Sequence, residues 1–293
     1  MRIVAAGVSG FIGSHLTARL LSEGHQVTRL VRRAPAGPDE VRWDPYDGPL
    51  DPRVLDGADA AINLCGAGIA DKRWTESYKK LLQDSRVIPT RVLAEAVAKA
   101  GTPVLLNGSA VGVYGDTGGE PVDETAPRAT DFLGQLARQW EDATEAASAA
   151  RVVILRTAHV LSSDAVMVKR LLPVFQFGLG GRFGDGRQYF PWISLLDWIG
   201  AARFLLDAPI SGPVNLAGPT PVTNAEFTRL LGNLLKRPTP WVIPGFALKI
   251  VAGEAAVELL RGAPVTPKVL LENDFTFEHQ SVGDALRWSL GSR

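Results

Sequence analysis

The feature that most constrains this chain is the run Gly7-Val-Ser9-Gly10-Phe11-Ile12-Gly13, which follows directly on the apolar stretch 3–6. The apolar stretch reads as a buried parallel strand. Phe11, Ile12, Leu16, Leu20 and Leu21 recur beyond it at helical spacing, so the strand is expected to turn sharply into a helix. Each glycine has its own physical reason. Gly7 permits the tight turn, Gly10 lets the backbone close on a pyrophosphate, and Gly13 lets the helix pack against the strand. Free N–H groups at the start of the helix then face the phosphates, aided by the helix dipole. The spacing is G-x-x-G-x-x-G rather than G-x-G-x-x-G, but a strand before it and a helix after it supply the context a nucleotide-binding turn requires.

A second strand, 26–31, ends at Arg32-Arg33. In a doubly wound sheet this strand end lies beside the adenosine ribose, where an acidic residue grips the 2′-hydroxyl of NAD and arginine accommodates the 2′-phosphate of NADP. No acidic residue stands there. Arg32 follows the strand directly and Arg33 is its helper, so NADP(H) is favoured over NAD(H); two solvated arginines are the bland alternative. A short third strand at 41–44 is followed by a Pro/Asp/Gly-rich loop, and a fourth strand at 58–64 closes on Cys65-Gly66-Ala67-Gly68. Small residues at that carboxyl end leave room for a cofactor across the sheet edge. Cys65 reads as a packing residue rather than a nucleophile.

Further on, 71–100 is expected to be helical, 104–107 a fifth strand, 116–131 an acidic loop, 132–149 a helix and 151–156 a sixth strand. This β-α alternation predicts a mostly parallel sheet with helices on both faces. Residues 1–156 form the core, with 188–217 returning to it. Residues 157–187 and 218–293 make a smaller covering lobe, with helices at 166–177, 224–235 and 246–260.

Bulk properties narrow the function. Thirty-one basic residues balance thirty-one acidic ones, which argues against a nucleic-acid partner held by charge. One cysteine rules out an intrachain disulfide and any multi-cysteine metal site. No metal site is expected from four scattered histidines, and no G-x-S-x-G elbow is present. The first strand starts at the second residue, and no apolar run reaches membrane length, so a cytoplasmic protein with no membrane partner is expected.

The Gly7/Gly10/Gly13 turn, Trp43-Asp44, Gly66-Ala67 and Ser109…Tyr114-Gly115 together resemble the extended type of short-chain dehydrogenase/reductase. The match is closer to its epimerase-like branch of unknown substrate. The marks of that branch are Ala70-Asp-Lys-Arg-Trp74-Thr-Glu, Asp131-Phe-Leu with Trp140-Glu141, Gly184-Asp-Gly-Arg-Gln188, and a tail resembling a small C-terminal domain of unknown function. The resemblance implies a Rossmann-type doubly wound sheet with a C-terminal substrate lobe. It implies a cofactor site at Gly7, Ser9, Gly10, Phe11, Ile12 and Gly13, with Arg32 on the 2′-phosphate and Asp44 at the adenine. Cys65, Gly66 and Ala67 would line the strand edge, with Asn107, Gly108 and Ser109 under the nicotinamide ribose and Thr157 and Ala158 at the carboxamide.

The departures are as informative. Extended reductases use a Tyr-x-x-x-Lys pair, the lysine making the tyrosine a usable proton carrier. The window after Ser109 holds Asp131-Phe132-Leu-Gly-Gln-Leu136-Ala, and none of the four tyrosines is followed four residues later by lysine. Ser109 remains a candidate for a substrate oxygen. Tyr114 is a weak catalytic candidate, because a tyrosine without an adjacent cation keeps a pKa near ~10. His159 is an acid/base candidate by position alone. Lys72, Trp74, Arg187, Gln188 and Trp192 are candidates for gripping a polar substrate. The expected function is an NADP(H)-dependent, epimerase-like oxidoreductase acting on a small molecule, as monomer or homodimer. The alternative is a non-catalytic NADP(H)-binding regulatory or redox-sensing protein linked to cell division.

Overall fold

The computed structural model describes residues 1–291. Seven parallel strands form the central sheet in the order β10-β6-β5-β4-β1-β2-β3: β1 (Arg2–Ala6), β2 (Gln26–Val31), β3 (Glu40–Arg42), β4 (Ala60–Asn63), β5 (Val104–Ala110), β6 (Arg151–Thr157) and β10 (Gly212–Leu216). The order reverses between β1 and β4, and at such a switch point an open α/β sheet opens a crevice at its carboxyl ends. Residue alternation along the strands makes two cores. Ile3, Ala5, Ile62 and Leu106 pack with Leu16 and Leu20 of α1 (Phe11–Ser22) and with Trp198 and Leu205 of α5 (Leu195–Asp207). Val4, Ala6, Ala61 and Leu105 pack with Leu93, Ala94 and Val97 of α2 (Glu76–Ala100).

Several predicted boundaries move for local reasons. Helix α2 starts at Glu76 because the Thr75 side chain accepts from the Tyr78 N–H, capping it there. Helix α3 (Phe132–Asp142) ends well before 149; beyond it the chain makes only a 3₁₀ turn at Glu145–Ala147. The predicted helix 246–260 is broken at Gly253, whose φ of +63° ends α7 (Gly245–Ala252) before a short α8 (Val257–Leu260).

The segment expected to rejoin the sheet at 188 does so only through α5 and β10. Before that, β9 (Trp192–Ser194) pairs with β7 (His159–Leu161) in a separate two-stranded sheet. A second small sheet joins β8 (Gly181–Phe183) to β11 (Trp241–Ile243), flanking α4 (Val166–Gln176) and α6 (Asn224–Leu234). The tail, with α9 (Lys268–Glu272) and α10 (Val282–Ser289), is moored to the core at Asp197. That carboxylate accepts from the Glu278 N–H at 2.7 Å and the Ser194 hydroxyl at 2.6 Å, while His279 Nδ1 lies 3.0 Å from Ser194 Oγ. This Ser-His-Asp grouping is buried and holds two chain segments together.

Candidate functional site: a dinucleotide cradle and an adjoining cavity

The turn after β1 separates the three glycines by role. At Gly7, φ is +73° and a Cβ would stand 2.4 Å from the Leu64 carbonyl carbon, so only glycine fits. A Cβ at Gly13 would meet Val8 Cα at 2.4 Å, which is the helix-to-strand contact itself. Gly10 is different. Its φ of −76° suits any residue, and its nearest neighbour is the Gly7 carbonyl oxygen at 3.5 Å. Folding does not demand glycine there; the missing side chain leaves a hollow in front of α1. Gly10 is also the N-cap of α1 and no side chain caps that helix, so the first-turn N–H groups are left for another acceptor. The hollow and the uncapped donors suit a pyrophosphate.

At the β2 end the two arginines part company. Arg33 is spent on Glu40, with both guanidinium nitrogens 2.6 Å from the carboxylate, which correspondingly lies down at about 2. The Arg33 side chain therefore buttresses β3 rather than helping with a ligand. Arg32 is exposed and, among the described residues, has no ion-pair partner, which is the state of a cation kept for an anion from outside. Asp44 accepts from the Tyr46 N–H at 3.1 Å, and its half-buried carboxylate tops the turn after β3. Cys65 is no nucleophile, since burial pushes its thiol up to about 12. Gly66 and Ala67 are pinned to α2: Ala67 N–H donates to Ser85 Oγ at 3.0 Å, and its carbonyl accepts from Arg86 at 3.0 Å.

At the end of β5 the hydroxyls of both catalytic candidates are committed to partners inside the protein. Ser109 is buried, and its hydroxyl donates to Glu141 Oε1 at 2.8 Å. Tyr114 is only 4 % exposed; it donates to Asn215 Oδ1 at 2.7 Å and accepts from Arg156 Nη1 at 2.9 Å. Arg156 also grips Glu141 with Nε and Nη2, at 2.8 and 2.9 Å. Burial works against the Arg156 charge, but the Glu141 bonds outweigh it and raise its pKa. Burial pushes the Tyr114 phenol above its ordinary range, so it is a poor base. Neither hydroxyl lines the cleft. Asn107 is likewise committed, accepting from Asn63 Nδ2 at 2.7 Å, and Gly108 packs under Trp140. The residue of this strand end that faces the opening is Ala110.

That opening is a cavity of about 230 Å³ beyond the ends of β5 and β6. One wall is α3, whose Leu133, Leu136, Ala137 and Trp140 face it at helical spacing. The proton relay sought in the window 131–137 is replaced by this apolar stripe. Thr157, Ala158 and His159 form another wall. Burial holds the His159 imidazole down at about 4, hence neutral, and its ring stacks on Phe190 at 4.7 Å. The polar end is made by Arg86 of α2, Asp131 at the cap of α3, Glu258 of α8 and Arg261.

A family model described as NAD dependent epimerase/dehydratase family matches residues 3–217. The chain belongs to that family. A second model, a domain of unknown function (DUF1731), matches residues 243–289 and so takes in Glu258 and Arg261. Epimerase family protein Mb2239 of Mycobacterium bovis is 49% identical over 291 residues, covering 98% of this chain and 97% of that protein. The crystal structure of human epimerase family protein SDR39U1 (isoform 2) with NADPH is 32% identical, with a TM-score of 0.88 and full coverage of both chains. A structure from Corynebacterium glutamicum, titled a nucleoside-diphosphate sugar epimerase, is 35% identical with a TM-score of 0.81, covering 99% of this chain and 58% of that one.

Set in this epimerase-family frame, the residues expected to grip substrate do other work. Trp192, 1 % exposed, packs under Gly218 and donates to the Thr220 carbonyl at 2.9 Å. Trp74 is buried against Phe132, with its indole N–H on the Ile69 carbonyl at 2.9 Å. Gln188 donates to the Phe183 and Leu259 carbonyls at 3.1 and 2.9 Å, tying β8 to α8. Lys72 and Arg187 are exposed and do not line the cavity. The sequence reading passed over Arg86, Asp131 and Glu258 because they lie far apart along the chain. The available signal was an arginine in the buried stripe of α2, in step with Tyr78, Leu82, Leu93 and Val97. No helix of the described residues is long and apolar enough to cross a membrane.

Proposed function

We propose that this epimerase-family protein binds NADP(H) in preference to NAD(H), and that it is an oxidoreductase acting on a small polar molecule in the adjoining cavity. The observation that carries the reading is the contrast at the β2 end: Arg33 is consumed by Glu40 while Arg32 stands without an ion-pair partner among the described residues. A 2′-phosphate is the anion that a Rossmann sheet brings to this corner. The human relative crystallised with NADPH supports it.

In this reading the N–H groups after Gly10 hold the pyrophosphate, Arg32 the 2′-phosphate, Asp44 the adenine side, and Thr157 and Ala158 the nicotinamide end. The bound nicotinamide supplies or accepts a hydride, and the apolar α3 stripe keeps bulk water from that end of the cleft. The rival reading, a binder that turns nothing over, draws on the burial of Ser109 and Tyr114. The charged end of the cavity favours an enzyme, because a sensor needs no substrate site.

Tryptophan quenching tests the cofactor assignment. Arg32→Ala is expected to weaken NADPH binding by about ten- to hundredfold, the worth of one charge-assisted hydrogen bond, and to leave NADH nearly unchanged. Equal losses for the two would remove Arg32 from the 2′-phosphate.

A further inference from the structure

Arg86 is an anomaly that the nucleotide reading does not use. Its side chain is buried, and it is anchored by donating to the Leu82 and Ala67 carbonyls, both at 3.0 Å, with the guanidinium 5.0 Å from the Trp140 ring centroid. No carboxylate pairs with it among the described residues. Burial lowers its pKa to about 10, so it is still a cation at neutral pH. A buried cation without a counter-ion is costly, and natural structures tolerate it where a ligand brings the missing charge. Carbonyl bonds and the indole fix the guanidinium in place, and it lines the cavity.

Glu258 lines the same cavity, within reach of the Arg86 charge, and has no hydrogen-bond partner among the described residues. Burial, then the charge of Asp131, push it up, against the pull of Arg86, to about 7. The other charged or titratable groups around it are accounted for. Asp131 accepts from the Gly134 N–H at 2.9 Å, Arg261 reaches toward Asp116 at 3.9 Å, and His159 is neutral. Arg86 therefore shares the cavity with a carboxyl that can be protonated, and neither of the two has an ion-pair partner among the described residues.

We propose that the cavity binds a small monocarboxylate, its carboxylate on Arg86 and facing Glu258. The proposal deepens the substrate side of the NADP(H) reading and rests on it. Three observations narrow the ligand class. The cavity of about 230 Å³ lies below the usual range of roughly 300–1,000 Å³ for drug-sized ligands, so the ligand is small. Ala110, Leu133 and Leu136 line the rest, so the remainder of the ligand is largely apolar. Asp131 and Glu258 line the same cavity as the guanidinium, so a single negative charge is better matched there than a phosphate dianion. A carboxyl that donates only when protonated also makes binding depend on pH: above the Glu258 midpoint the glutamate becomes a second anion facing the ligand.

The test is a fluorescence titration of the full-length protein with L-lactate and pyruvate, with and without saturating NADPH, using neutral lactamide and inorganic phosphate as controls. Saturable binding of the carboxylates and not of lactamide is expected. Arg86→Gln should lose at least tenfold in carboxylate affinity and Arg86→Lys less. Wild-type carboxylate affinity should fall about tenfold per pH unit above neutrality, as one linked proton requires, and Glu258→Gln should flatten that slope. Undiminished binding by Arg86→Gln, equal binding of lactamide, or preference for phosphate would each overturn the proposal. If Arg86→Gln does not fold, the pH slope of wild type against Glu258→Gln decides alone. Absence of NADPH binding by wild type would instead refute the nucleotide reading, and the titration without NADPH still judges the carboxylate site.

Discussion

The two sides of this cleft are built from different materials. The nucleotide side is backbone: seven consecutive residues, Gly7 to Gly13, set a turn whose shape follows from φ angles and the absence of Cβ atoms. The cavity side is side chains, gathered from α2, the cap of α3, β7 and the segment after α7. Backbone sites are local and announce themselves by spacing. Side-chain sites exist only once distant segments have met.

The heaviest loss is expected at the buried pair that ties β6 to α3 under the cavity side. Arg156→Met leaves the buried Glu141 carboxylate only Arg128 at 3.2 Å and the Ser109 hydroxyl, and the expected loss is about 3 kcal/mol, or a drop of roughly 5 °C in Tm. Arg156→Met/Glu141→Leu should recover most of it, and a double variant as unstable as the single would show that the pair is not the source. Next comes Gly7→Ala, with an expected loss of about 3 kcal/mol from a forbidden φ and a backbone clash, which takes nucleotide binding with it. Gly10→Ala, three residues on, should leave the Tm within about a degree yet weaken NADPH by roughly a hundredfold, because its Cβ enters the ligand's space rather than the protein's. Similar Tm losses for the two glycine variants would erase the distinction between turn and cradle. The smallest effect is Tyr114→Phe, about 1–2 kcal/mol for the two buried hydrogen bonds of its hydroxyl, with NADPH affinity unchanged. Retained stability with lost turnover would restore Tyr114 as a catalytic group.

This division also explains what could be read in advance. The order of strands and helices through β6 was legible because the core alternates by period, as at Ile3/Ala5 against Val4/Ala6. The Gly7 turn was legible because steric rules act within a few residues. The partners of Ser109 and Tyr114 were not legible, because sequence position fixes a residue's strand end but not its partners; Glu141 and Asn215, 32 and 101 residues away, take their hydroxyls. The same holds for Trp192 and Gln188, since large and polar residues serve packing and backbone satisfaction as often as ligands. Nothing in the local pattern around Glu258 marks it, because its significance is the cavity opposite.

The mooring of the tail at Asp197 has a consequence for when the cleft comes into being. A chain emerging from its amino terminus completes the phosphate turn with its first βα unit, whereas the cavity's charged end waits for residues 258–261 and for the Glu278 and His279 amides that hold the tail at Asp197. The charged end of the cavity is therefore the last part of the cleft that a growing chain can complete. Phe11 of the glycine turn packs against the same cluster as Val282 and Leu286, so the arriving tail also closes over the start of α1.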